Sequence, residues 1–120
     1  MLKNDKLIEK DKGFIDDLII GILNLEHGQI HAELQYIQTN DERFIKIANE
    51  CRKDRTELLD LIVKESGELW CLSKHCLLWI GIYMELGSRC SSVNKYDLAK
   101  QYYDKAGKWL SVFYEINDLK

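Results

Sequence analysis

The sequence has no proline, so the residue that most effectively breaks a helix is missing from all 120 positions. No apolar run approaches the roughly 18 residues that would suggest a membrane span. A basic excess is missing too: 17 lysines and arginines against 20 acidic residues give a formal net charge of −3. Nucleic-acid binding normally needs a basic face, so none is expected. No P-loop and no GxGxxG pattern occurs, which removes the usual phosphate cradles. Met1 to Lys6 mixes both charges and leads into no apolar stretch, so no signal peptide is expected. What the chain does have is apolar content. At 46% it is too much for a disordered protein and enough for one ordinary core.

Cys51, Cys71, Cys76 and Cys90 are separated by 20, 5 and 14 positions, which matches no CxxC zinc or redox spacing. With no leader sequence expected, the thiols are expected to be reduced in the cytoplasm and to act mainly as small buried hydrophobes.

Apolar residues recur at spacings of three and four over four segments. The first runs from Asp11 or Gly13 to Gln38, with Phe14, Ile15, Leu18, Ile19, Ile22, Leu25, Ile30, Leu34 and Ile37 inward. Thr39-Asn40-Asp41 supplies a turn and an N-cap, and a second helix follows over Glu42–Lys64. Ser66-Gly67 breaks it before a third helix, from Glu68 to about Arg89, that is apolar round most of its circumference. Asn94 reads as the N-cap of a fourth, over Lys95–Ile116. The first ten residues are charged and are expected to fray or to form a short extra helix. An all-α, antiparallel up-down-up-down four-helix bundle in one domain is the expected architecture.

The pattern Tyr83-x-x-Leu86-Gly87-x-x-Cys90, then Tyr96-x-x-Ala99-x-x-x-Tyr103-x-x-Ala106, resembles a single tetratricopeptide repeat over residues 83–106. It departs from that family at Tyr83, where tryptophan is usual, at Cys90, where tyrosine is usual, and at the missing closing proline. One repeat length earlier, Glu65 and Leu69 stand where Ala99 and Tyr103 should recur, so there is no second copy. The resemblance implies a helical hairpin packed through Gly87, Ala99 and Ala106, not a peptide-binding solenoid.

Several polar residues fall on apolar arcs when each position is advanced by about 100°. Glu26 and Glu33 lie on the arc of the first helix, Arg55 on that of the second, and Glu68 and His75 on that of the third. Heights along the helices place Glu26, Arg55 and His75 near one level, with Cys71 one turn before His75 and Glu33 and Glu68 toward opposite ends. A buried charge must be paired or must coordinate something, so this layer is either a structural salt bridge or a ligand site. In the second case Arg55 would hold an anionic group, with Glu26 and His75 available for proton transfer.

A divalent metal such as zinc or iron is the other candidate. Inward glutamates and a histidine resemble ferritin-like di-iron bundles in architecture, but no Glu-x-x-His pair exists. His27 and His31 are one turn apart, as are Cys71 and His75, so two facing pairs would make a tetrahedral zinc site. No complete catalytic motif is present. Trp70 falls on the outward side of the third helix beside Lys74 and Leu77, which marks that face for a subunit contact. The expectation is a non-enzymatic, cytoplasmic protein that works by association, as a homodimer or larger oligomer or with another helical protein. No cofactor is expected unless the metal alternative holds, and no nucleic-acid or membrane partner is expected.

Overall fold

A computed structural model describes residues 12–64 and 67–119; the expectations for the first ten residues and for Ser66 lie outside that range. The chain is all-α, with the four helices expected of the bundle and no strand among the described residues. They are α1 (Lys12–Thr39), α2 (Glu42–Ile62), α3 (Glu68–Ser92) and α4 (Tyr96–Ile116). Contacts group them into two compact units that divide between Ile62 and Val63. Each unit is an antiparallel hairpin, α1 against α2 and α3 against α4.

Short side chains end these helices where glycine is the usual residue. Asn40, Asn94 and Asp118 all adopt left-handed backbone, with φ of 57°, 65° and 54°. Short polar side chains tolerate that region better than other non-glycine residues. At the end of α1 the Asn40 N–H closes a single bond to Tyr36 O at 2.7 Å. At the end of α3 the pattern is the double bond of a Schellman turn, Lys95 N–H to Cys90 O and Asn94 N–H to Ser91 O. The same pair of bonds closes α4, from Leu119 to Tyr114 and from Asp118 to Glu115. Asn94 therefore terminates α3 and does not cap α4, correcting its expected role. Its Oδ1 accepts a bond from the Tyr96 hydroxyl at 2.8 Å. α3 accordingly runs to Ser92, three residues beyond the expected end, while α2 stops two residues early at Ile62.

In the first hairpin the turn chemistry is as expected. Asp41 Oδ1 accepts the Arg43 N–H at 3.0 Å, the bond of an N-cap, and the Arg43 guanidinium folds back onto the same carboxylate at 2.7 Å. Gly21 and Gly28 face α2: a Cβ on them would lie 3.4 Å from Leu58 Cδ1 and 3.6 Å from Cys51 Sγ.

The second hairpin is sewn by rings. Trp79 of α3 meets Trp109 of α4 with centroids 4.6 Å apart, and Tyr83 stacks on Tyr102 at 6.2 Å. One turn along, Tyr103 lies over Gly87, where an added Cβ would come within 2.6 Å of the ring. Ala99 and Ala106 are buried, so the hairpin does close through its small residues. Asn117, just past α4, donates to Ser73 Oγ and to Phe113 O, both at 3.0 Å, which accounts for a fully buried serine near the start of α3.

Candidate functional site

The polar residues expected in the Glu26–Arg55–His75 layer, near it or toward the bundle ends divide into a buried pair and a set of exposed side chains. Glu26 and Arg55 are 5% and 6% exposed, and Arg55 Nη1 donates to Glu26 Oε1 at 3.5 Å. They come from facing positions on α1 and α2, so the first hairpin alone builds this contact. Arg55 Nε is also buried and has no hydrogen-bond partner among the described residues.

The other members sit on the surface. Glu33 is exposed and accepts a bond from Gln29 at 3.3 Å along its own helix. Glu68, Cys71 and His75 are exposed on α3, where the expectation had Glu68 and His75 facing inward. The His75 ring instead lies along Trp79, centroids 6.0 Å apart.

The cause is the orientation of α3. Its buried residues are Ser73, Cys76, Leu77, Ile80 and Gly87, an arc roughly a quarter-turn away from the one read through Leu72, Trp79 and Leu86. A helix that is apolar nearly all round gives little guidance about which arc is covered. The same rotation takes Leu77 out of the outward face assigned to Trp70, Lys74 and Leu77. Leu77 is fully buried, while Trp70 and Lys74 are half-buried with the ammonium 5.9 Å from the indole centroid.

All four cysteines are free. Burial pushes the Cys76 thiol up, which keeps it protonated and inert, whereas Cys71 is exposed. No group of three or more His, Cys, Asp or Glu able to hold a metal occurs among the described residues. His27 and His31 are brought together on α1, Nε2 to Nε2 at 2.8 Å.

The feature missed by the sequence reading is a second apolar seam on α1. The helix buries Ile15, Ile19, Ile22 and Glu26 on one arc. Beside that arc run Ile20, Leu23, His27, Ile30, Leu34 and Ile37, spaced 3, 4, 3, 4 and 3. That is the heptad spacing of a helix seeking a helical partner. Among the described residues its side chains stay open: Ile20, Ile30, Leu34 and Ile37 are 57%, 47%, 49% and 75% exposed, His27 is exposed and Leu23 is half-buried. The signal was available in the spacing, but the two seams overlap and read as one broad arc.

No helix among the described residues is long and apolar enough to cross a membrane. Comparison with protein-family models, with curated proteins and with solved structures finds no match.

Proposed function

We propose that the protein works by association, as a homodimer joined through the outer seam of α1. The observation that carries this reading is the 3-4-3-4-3 seam left exposed from Ile20 to Ile37. It is about 26 Å long and apolar at every position but His27, and apolar surface on that scale is costly to leave in water. Two-fold pairing of a surface with itself is the commonest way such a seam is covered. A second copy is therefore the simplest occupant, since it brings a seam of the same length and spacing. Free thiols, one of them exposed, support a reducing cytoplasmic setting.

The test is sedimentation equilibrium of the full chain across a wide concentration range, with Leu34→Asp as the variant. Leu34 is half exposed, so the change leaves the fold intact while placing a charge within the pairing surface. The expected outcome is a dimer for the natural chain and a folded monomer for the variant. A natural chain that stays monomeric at high concentration overturns the reading, even if it captures a different helical protein.

A further inference from the structure

The seam has a polar centre. Its six positions run from Ile20 to Ile37, so their midpoint falls at Gly28–Gln29, beside His27 and His31. These two imidazoles touch through their Nε2 atoms at 2.8 Å, with ring centroids 4.5 Å apart and planes tilted by 37°. Two ring nitrogens face each other at that distance only with a proton between them, one acting as donor and the other as acceptor. Neither ring has another hydrogen-bond partner among the described residues.

The position of that shared proton is also where a metal ion would sit. Imidazole nitrogens bind zinc at about 2.0–2.1 Å, which for tetrahedral coordination sets the two nitrogens roughly 3.3 Å apart. Opening the pair by about half an ångström is within reach of small rotations of two exposed side chains. Among the described residues no third ligand joins these two, leaving half of a tetrahedral shell open.

Antiparallel two-fold pairing of the seam fills that half. With the axis at the midpoint of the seam, His27 of one copy stands level with His31 of the other to within about 1.5 Å, the rise of one residue. Antiparallel packing also brings the same flank of each helix together, so both histidine pairs lie on one side of the contact. We infer that His27 and His31 form half of a metal site, and that two copies paired along α1 hold one zinc-class divalent ion with four imidazoles. Imidazole-rich sites of this kind suit zinc, nickel and copper, while magnesium and calcium prefer oxygen ligands. The metal step rests on the association reading, and it adds a consequence of its own: assembly becomes zinc-dependent.

Zinc sulfate added to the full chain tests this, with native mass spectrometry giving stoichiometry and sedimentation equilibrium giving the dimer constant. His31→Ala is the informative variant, because His31 lies beside the seam and its removal breaks the chelate while sparing the apolar contact. The expected result is one zinc per two chains and a dimer tightened roughly 100-fold at zinc about 100 times its dissociation constant. His31→Ala should retain the metal-free dimer and lose the zinc effect. Substituting Co2+ should give the intense visible absorption of a tetrahedral ion. One zinc per chain with unchanged assembly overturns the inference, as does a zinc effect that survives in His31→Ala. A metal-free dimer indifferent to zinc defeats only this inference, whereas a chain monomeric with and without zinc defeats the association reading as well.

Discussion

Arg55 shows how differently a charge behaves once it is enclosed. It shares a buried contact with Glu26, and its Nε has already lost its water without gaining a partner among the described residues. Such pairs rarely add net stability, yet removing one member leaves the other's charge buried without its counter-ion. Arg55→Met should therefore cost about 3–5 kcal/mol in denaturant unfolding, and Glu26→Leu combined with Arg55→Met should recover most of it. A single variant as stable as the natural chain would mean that the carboxylate is held by something stronger than Arg55. The charge at Asp41 works on the surface and by another route. Side-chain and backbone bonds from Arg43 hold its carboxyl below the ordinary carboxylate range. A lowered folded value means that its contribution is present above the unfolded carboxylate range, near pH 4, and is lost as pH falls through the folded value. Asp41→Asn keeps the cap acceptor without the ionisation. Thermal melts between pH 7 and pH 2 should thus show a smaller acid-side loss in the variant, and parallel curves would refute the assignment.

At the scale of the element, the second hairpin depends on how closely α3 and α4 approach. Gly87 is the clearest case, because a methyl group there would collide with the Tyr103 ring at 2.6 Å. Two effects oppose each other in Gly87→Ala. Alanine improves helix propensity by about 1 kcal/mol, while displacing a packed ring costs about 1–3 kcal/mol. The ring is only partly buried and can swing outward, so the net loss should be about 1 kcal/mol. In a Tyr103→Ala background the collision disappears, and the same substitution should stabilise by about 1 kcal/mol. Chemical denaturation of the four chains of this cycle checks the reversal of sign; additive effects would show that the ring does not depend on the glycine. Gly87, Ala99 and Ala106 entered the sequence reading through the resemblance to a single repeat, and all three are buried in the structure. The helix endings were not legible in the same way. Asn40, Asn94 and Asp118 serve as left-handed terminators, and asparagine before a helix reads equally well as an N-cap. The choice between the two depends on backbone angles that a sequence does not carry.

For the whole molecule, the proposed pairing through the exposed seam of α1 has consequences of its own. Association through it makes stability depend on concentration, because the dimer is favoured by mass action. The melting temperature of the natural chain should rise as the chain is concentrated, and that of Leu34→Asp should not. Zinc should add to the rise only where His27 and His31 are both present. These dependences separate an apolar contact, which needs no metal, from a metal clip that tightens it.

The sequence by itself determined the helices, because periodicity, the missing proline and turn residues such as Asp41 and Gly67 act over a few neighbouring positions. It also placed Glu26 and Arg55 in line with the apolar residues their helices bury, and left open whether they pair with each other or hold a ligand. Only the tertiary structure decided which arc of α3 is covered. That helix is apolar nearly all round, so burying Leu77 or exposing it satisfies the same local rules, and Glu68, Cys71 and His75 follow the outcome to the surface. The same holds for α1. Two apolar seams overlap on it, and a spacing pattern cannot tell the one that finds a partner within the fold from the one that is left exposed to water.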